Sequence, residues 1–370
     1  VDRMVTGAHK QVNIFFRVDS SRQMGTGHVM RCLTLANELA GRGAGVTFIC
    51  RDLPGNLAHY IMDQGHQVLL LPAPGDPAYA ASWLQVDWRR DAAETAERMT
   101  SSSPADCLII DHYGIDHKWE AVLAEKVDRI VVIDDLADRP HQCSMLLDAN
   151  ESYAKDRYQG LVPDGCVKLI GTRYTLLRPE FRSARRRLAE RDGRINRILV
   201  FFGGTDPTGE TLKTLQALTL PAFADIHIDV VTGAMNNNKE AIAEACSAMP
   251  NAVFHCQIDY IAELMRKADL SIGAGGSTTW ERCYLGLPTL SVVTADNQRE
   301  ITALVHDKGA ARCLGLSADV TVQRIEDGLN EMLASPSLVK EMSEKALQLM
   351  GEGRLNEVID RIMGGDNGGH

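Results

Sequence analysis

The chain contains no CxxC pair, no uncharged apolar run of membrane length and no excess of basic residues, and each absence removes a class of protein. Its nine cysteines, at 32, 50, 107, 143, 166, 246, 256, 283 and 313, are odd in number and scattered. Such spacing points to neither a disulfide framework nor a zinc site, and a reducing cytoplasm suits it best. A bilayer-spanning helix needs about 18 or more apolar residues, and a leader needs a basic segment before an apolar one. With neither visible, the sequence predicts no membrane span and no export. Lys and Arg number 39 against 49 Asp and Glu, so 39 − 49 gives a net charge of −10. Proteins whose main partner is nucleic acid or an anionic membrane usually carry the opposite excess, because they must displace phosphate counterions. A local basic pocket for one small anion remains compatible with this balance, and no obligate protein partner is evident.

What is present is 370 residues, 45% hydrophobic and 24% charged, enough for two ordinary globular cores. Short apolar runs alternate with amphipathic stretches: Val12–Val18 then Val29–Arg42, Val46–Cys50 then Leu57–Gln64, Cys107–Asp111 then Trp119–Lys126, and Ile130–Asp134. The β-branched runs read as buried parallel strands and the longer stretches as crossover helices. This predicts an α/β, doubly wound first half. A charged, mostly basic stretch, 179–193, reads as a linker between domains at 12–178 and 194–363. A second βαβ series begins at Arg197–Phe202 and continues through Thr289–Val293, and Ser337–Met363 has a helical pattern. Residues 1–11 and 364–370 read as tails.

Three places carry candidate chemistry. The first strand ends in Arg17-Val-Asp-Ser-Ser-Arg-Gln-Met-Gly-Thr-Gly-His28, directly before a helix. Ligands of open α/β sheets bind beyond the carboxyl ends of strands, where glycines allow close backbone approach and a helix N-terminus favours anions. Gly25, Gly27 and His28 occupy that position, although G-T-G-H is not the full dinucleotide fingerprint. His28 is either a helix-capping residue or a catalytic base, since imidazole titrates near neutrality. The second place is Ile109-Ile-Asp-His-Tyr-Gly114, where Asp111, His112 and Tyr113 emerge at a strand end. With Asp116, His117, Asp134 and Asp135 they raise the question of a metal, but no HExxH or other closed ligand spacing is present. Hydrogen bonding of a sugar, or orientation of the base, is the better reading, and no metal is expected.

The third place is a pair of glycine turns, Phe202-Gly-Gly-Thr-Asp206 and Gly273-Ala-Gly-Gly-Ser-Thr-Thr-Trp-Glu281. Gly203, Gly204 and Thr205 follow one strand; Gly275, Gly276, Ser277 and Thr278 lead into a helix whose free N–H groups suit a diphosphate. Glu281 would repel phosphate but accept hydrogen bonds from ribose hydroxyls. The plainer alternative is a glycine turn capped by Ser277.

The motifs R-x-D-S-S-x-x-x-G-x-G-H-x-x-R at 17–31, I-I-D-H-Y-G at 109–114, Tyr158-Gln-Gly-Leu-Val-Pro163, G-x-x-Y-x-L-L-R-P-E-F at 171–181, F-G-G-T-D at 202–206 and Asn297-Gln298 appear in this order. In that combination, over roughly residues 12–310, the chain resembles the UDP-2,4-diacetamido-2,4,6-trideoxy-β-L-altropyranose hydrolases of pseudaminic acid biosynthesis. The resemblance implies a GT-B type fold, two Rossmann-like domains facing each other across a cleft. It also implies metal-independent, cofactor-free removal of UDP by water, with inversion and anomeric C–O cleavage. His28 matches the base, and Tyr113 and Asn297 match substrate-site positions grouped with it as catalytic. Asp19, Gly25, Gly27, Arg31, His112 and Gln298 fall at substrate-binding positions. Gly203, Gly204, Thr205, Gly275, Gly276, Ser277, Thr278 and Glu281 fall at nucleotide-binding ones. An inverting displacement needs a base opposite the departing group, and a diphosphate held by N–H groups can leave without a general acid. A related branch acts on UDP-sugars for legionaminic acid, and no residue here separates the two stereochemistries. Rival readings are a GT-B glycosyltransferase with an alcohol acceptor, a UDP-sugar 2-epimerase, and a sensor that binds without turnover.

Overall fold

The computed structural model describes residues 11–100, 105–152 and 156–364. The chain forms two compact units. The first comprises the chain up to Asp148, Tyr158–Leu169 and the chain from Leu355 on; the second comprises Ala149–Arg157 and Ile170–Arg354.

Seven strands build the sheet of the first unit: β1 (Asn13–Val18), β2 (Gly45–Arg51), β3 (Gln67–Leu71), β4 (Ala105–Asp111), β5 (Val127–Ile133), β6 (Met145–Asp148) and β7 (Val167–Ile170). Their order is β3-β2-β1-β4-β5-β6-β7, and the pairs from β3 through β6 are parallel. Strand β1 is buried from Ile14 onward, and Phe16 stacks on Phe48 of β2 at 4.9 Å. Burial on both faces explains why these strands read as continuous apolar runs rather than alternating ones. The crossover helix Gly27–Gly41 buries Val29, Cys32, Leu33, Leu35, Ala36 and Leu39, an apolar stripe at helical spacing.

The sequence runs from β1 outward to β3, then returns to the other side of β1 as β4. The carboxyl ends of β1 and β4 therefore lie side by side, with Val18 opposite Asp111. This reversal is where open α/β sheets bind ligands.

The second unit repeats the plan with β8 (Arg197–Phe201), β9 (His227–Thr232), β10 (Ala252–Cys256), β11 (Leu270–Ala274), β12 (Thr289–Val293) and β13 (Arg312–Leu316). The order is β10-β9-β8-β11-β12-β13, all parallel. Its reversal lies between β8 and β11, with Phe201 opposite Gly273. Two doubly wound, Rossmann-like units are thus present, as the alternating pattern predicted. No helix among the described residues is long and apolar enough to cross a membrane.

The unit boundaries differ from those read in the sequence. The supposed linker is part of the second unit: Phe181 and Ala184 of the helix Pro179–Arg186 are buried, and Arg191 donates to the carbonyls of Ala268, Leu285, Gly286 and Met265. Arg185 and Arg191 satisfy carbonyls at helix ends, a use that composition does not reveal, while Arg186 and Arg187 face water. The closing helical pattern is two helices, Pro336–Met350 and Leu355–Ile362, broken at Gly351 with φ +56°. The second of them returns to the first unit, where Arg42 donates to Asn356 at 2.9 Å and pairs with Asp360. The stretches read as tails lie outside the described residues, apart from Gln11 and Gly364.

One glycine of the second unit is required by packing alone. A Cβ on Gly275 would stand 1.9 Å from Thr302 Oγ1, a hydroxyl without a hydrogen-bond partner. Gly275→Ala is expected to destabilise the second unit by about 1–3 kcal/mol through overpacking. Adding Thr302→Ala should return about 1 kcal/mol or more as coupling in a double-mutant cycle. Urea unfolding followed on the second unit's transition measures this; strictly additive mutants would reject the steric account.

Candidate active site

At the reversal of the first sheet, three neighbouring strand ends deliver one polar cluster. The helix after β1 places His28 and Arg31 three residues apart, on one helical face. Strand β4 ends in Asp111, and Asp135 follows β5. His28 Nδ1 lies 2.6 Å from Asp111 Oδ1. Arg31 grips the same carboxylate with two donors, Nε to Oδ2 at 2.5 Å and Nη2 to Oδ1 at 2.6 Å. Its third nitrogen, Nη1, reaches both oxygens of Asp135 at 2.9 and 2.8 Å.

Burial alone would push the Asp111 carboxyl up, but Arg31 and His28 outweigh it and hold this carboxyl far below the ordinary range. Asp111 is therefore ionised and has no proton to give. The proton between it and the imidazole sits on His28 Nδ1, which leaves Nε2 as the ring's lone-pair acceptor. Arg31 Nη2 stands 3.2 Å from Nδ1, but the shorter contact to a full charge decides the tautomer. The His28 side chain is 12% exposed while Asp111 is fully buried. Among the described residues nothing hydrogen-bonds Nε2. An oriented imidazole with an open acceptor nitrogen can take a proton from water.

Tyr113 joins this cluster in a different capacity from the one its position suggests. Its ring meets His28 edge-on, with centroids 4.5 Å apart, and its hydroxyl donates to Asp135 Oδ2 at 2.9 Å. Burial, reinforced by the Asp135 charge, raises this phenol well above its usual range. Tyr113 is a neutral phenol with its proton committed, suited to positioning rather than acid catalysis.

Asp19 and His112 require correction as substrate contacts. Both side chains are fully buried, with His112 Nε2 3.1 Å from Asp19 Oδ2. Asp19 also accepts two donors of Arg17, at 2.5 and 2.9 Å, and the backbone N–H of Arg51 at 2.7 Å. Behind them Asp91 takes Arg17, Arg51 and the Trp119 indole N–H. These residues brace the strand ends from within the core, and neither side chain is exposed. Gly25 holds φ +78° and donates to the Ser21 carbonyl at 2.9 Å, so it serves the turn before the helix that Gly27 opens.

The second unit places its glycine turns side by side at its own reversal. Their helices differ. After Gly203, at φ +90°, and Thr205, Asp206 accepts from the N–H groups of Glu210 and Thr211 at 3.0 and 2.8 Å, so that helix end is already neutralised. The helix Thr278–Tyr284 has no such cap: Ser277 makes no side-chain capping bond and is exposed. Gln298 closes this turn, accepting from Thr294 N–H at 3.0 Å, with its Nε2 3.6 Å from the position of a Cβ on Gly276. Gln298 thus sits with the second unit's glycine turn. Asn297 is exposed on the short turn after β12, also in the second unit, whereas His28 and Tyr113 belong to the first. Glu281 pairs with Arg178 at 3.3 Å; burial raises its carboxyl despite that partner.

Sequence reasoning grouped Asp111 and Asp135 with residues that hydrogen-bond a sugar or orient the base, without singling out Asp111 as the partner of His28, and Arg178 appeared only within a motif, with no role of its own. The signal for Asp111 was present: a carboxylate ending the strand beside the one that leads to His28. Among the described residues no group of three His, Cys, Asp or Glu side chains is arranged to hold a metal ion.

Residues 198–359 match the glycosyltransferase family 28 C-terminal domain. The crystal structure of Acinetobacter baumannii MurG superposes with a TM-score of 0.64 at 16% identity, covering 95% of this chain and 99% of that one. The fold is GT-B. Among curated proteins, this GT-B chain is 26% identical over 299 residues to the UDP-2,4-diacetamido-2,4,6-trideoxy-beta-L-altropyranose hydrolase of Campylobacter jejuni, covering 80% of this chain and 97% of the relative. It is also 26% identical over 326 residues to the spore coat polysaccharide biosynthesis protein SpsG of Bacillus subtilis, covering 88% and 89%. The resemblance carried by the sequence motifs is therefore present along most of the chain.

The Asp111 cluster has a consequence for stability in acid. A carboxyl lowered in the folded state contributes stability above its unfolded pKa, about 3.9, and loses it as pH falls toward the folded value. Arg31→Met removes the main lowering charge and leaves burial to raise the group. The acid-unfolding midpoint of the first unit should then move to higher pH, read by circular dichroism. An unchanged midpoint would mean that Arg31 does not hold Asp111 ionised.

Proposed function

We propose that this protein hydrolyses a UDP-linked 2,4-diacetamido-2,4,6-trideoxyhexose to UDP and the free sugar, in the cytoplasm and in nonulosonic (pseudaminic) acid biosynthesis. The observation that carries the reading is the Asp111–His28 pair, at 2.6 Å, with the imidazole Nε2 open at the sheet reversal. The relative's name supplies the substrate class.

In this reading His28 Nε2 takes a proton from water as the water oxygen bonds to the anomeric carbon and the C–O bond to UDP breaks with inversion. Asp111 stays ionised and stabilises the imidazolium as it forms, while Arg31 keeps Asp111 from turning away. Tyr113 and Asn297 position the sugar, with Gly25, Gly27 and Arg31 shaping its surroundings. The second unit takes the nucleotide at Gly203–Thr205 and Gly275–Thr278, with Glu281 and Gln298 beside it. The uncapped start of the helix Thr278–Tyr284 supports that assignment. UDP departs as the anion, stabilised by N–H donors. No metal is required: the carboxylates nearest His28 already carry Arg31 and Tyr113 as partners.

The family 28 match favours a second reading, transfer of the sugar to an alcohol acceptor. Release of free sugar from the nucleotide sugar and water alone separates the two. In oxygen-18 water, label is expected in the sugar; label in UDP would indicate attack at phosphorus and refute the proposal.

His28→Asn should lower kcat by about 10²–10⁴ with KM little changed, because Asn cannot take the proton. Asp111→Asn should also lower kcat by favouring the wrong tautomer. Retention of most of the wild-type kcat in the His28 variant would move the base elsewhere. Exhaustive chelation is expected to leave the rate intact, and recovery of a lost rate with Mg²⁺ or Mn²⁺ would show a metal requirement.

A further inference from the structure

Against Tyr113 stands an aromatic side chain that no motif singled out, Trp83. Trp83 exposes 45% of its surface, although the neighbouring Leu84 and Val86 are buried. Its indole meets the Tyr113 ring edge-on, with centroids 5.2 Å apart at 81°, and Tyr113 meets His28 in the same way. Three rings thus lead from solvent to the imidazole.

The loop that carries Trp83 is pinned. A Cβ on Gly114 would stand 3.0 Å from Trp83 Cβ, 3.0 Å from Leu84 Cγ and 3.1 Å from Leu84 N, so the loop lies directly on the backbone beyond β4. The Ser82 hydroxyl accepts from Gln85 N–H at 3.0 Å and donates to the Tyr79 carbonyl at 2.8 Å. Gln85 holds φ +57°, a conformation costly for a side-chain-bearing residue. A single exposed apolar residue needs no explanation. An indole held out of the core by a strained, tightly packed turn, in line with the base, does.

A pyranose presents C–H groups on one face and hydroxyls at its rim, and an aromatic surface accepts the former without competing for the latter. The proposed substrate is unusually apolar for a sugar, with a methyl at C6 and two acetamido methyls. We propose that Trp83 is the platform on which the trideoxyhexose packs as its anomeric carbon comes before His28 Nε2, and that it contributes to recognition of the 6-deoxy sugar. The inference rests on the first unit's being the sugar side of a UDP-sugar hydrolase. It adds a specificity residue to that site.

Kinetics and a binding measurement together test it. Trp83→Ala should raise KM by about tenfold with kcat within about twofold of wild type, since a platform binds ground state and transition state alike. Trp83→Phe should restore most of the lost affinity. An unchanged KM in the alanine variant, or a loss confined to kcat, overturns the platform while leaving hydrolysis intact. The binding measurement uses His28→Asn to keep substrate whole and follows the indole N–H signals of the four tryptophans by NMR, with Trp83 assigned from its variant. The Trp83 signal should shift with a UDP-2,4-diacetamido-2,4,6-trideoxyhexose and not with UDP. An equal shift with UDP, or none with either, rejects the platform. This readout needs no turnover, so it decides the role of Trp83 even if the wild-type enzyme hydrolyses no UDP-sugar.

Discussion

The Asp111 carboxylate is the constraint on which the chemistry of the first unit depends. It ends β4 opposite Val18 of β1, so its position is set by the parallel register of two central strands and not by a loop. Four groups depend on it: His28 for its tautomer, Arg31 for its placement and, through Arg31, Asp135 and Tyr113 for their orientation. A base on the first turn of a helix, held by a carboxylate at a strand end, is also more rigid than one on a free loop, which matters because a misplaced acceptor costs rate steeply. Removing Asp111 would leave Arg31 and Asp135 to find a new arrangement in partly buried surroundings. The tautomer of His28 would then be set by whatever contact replaced it.

Behind this cluster lies a second set of charges, buried away from solvent. Arg17 and Arg51, both fully buried, lie on adjacent strands and share Asp91 from the helix Trp88–Thr100. Such networks are weak evidence for added stability, since desolvation of each ion offsets much of the attraction. What this one does supply is geometry. Asp19 ties the end of β1 to the backbone of Arg51 at the end of β2, so the chain leaving β1 toward Gly25 and His28 starts from a fixed point. The motif residues Arg17 and Asp19 thus form a recognisable signature while acting one layer beneath the site.

The contrast explains what was legible in the sequence. Strands such as Asn13–Val18 and Ala105–Asp111 were visible because both of their faces are buried, and the positions of His28, Asp111 and the glycine turns at strand ends followed from that. The direction of a side chain at a strand end was not visible. His112 and Tyr113 are adjacent in sequence, yet one turns into the core toward Asp19 and the other toward Asp135, because the chain leaves β4 in a turn that the Ile115 N–H closes on the His112 carbonyl. Arg191 and the helix Pro179–Arg186 misled for a related reason. A basic stretch looks solvated until carbonyls at helix ends are found to receive it. Gly275 could be read as a phosphate-approach glycine, but Thr302 alone already forbids a side chain there.

The division of labour between the units bears on hydrolase versus transferase. The family 28 match begins at Ile198 in β8 and so excludes β1, β4 and every residue around His28. Likeness over that region concerns the unit to which the nucleotide is assigned, and a nucleotide turn is indifferent to whether water or an alcohol later attacks the sugar. Fold likeness at 16% identity is equally silent on the nucleophile. The relatives whose likeness covers most of the chain, including the Campylobacter jejuni hydrolase at 80% of this chain and 97% of its own length, are the ones that extend beyond that unit. An imidazole fixed by a carboxylate can activate either nucleophile, so the choice between them turns on what else the first unit places beside His28. The neutral Tyr113 phenol meets the His28 ring and the Trp83 indole meets Tyr113, and in the proposed reaction neither can replace His28 as the acceptor of the nucleophile's proton. In the proposed hydrolysis the second unit is indifferent to the nucleophile, and water, the smallest candidate, is the one that enters beside these rings.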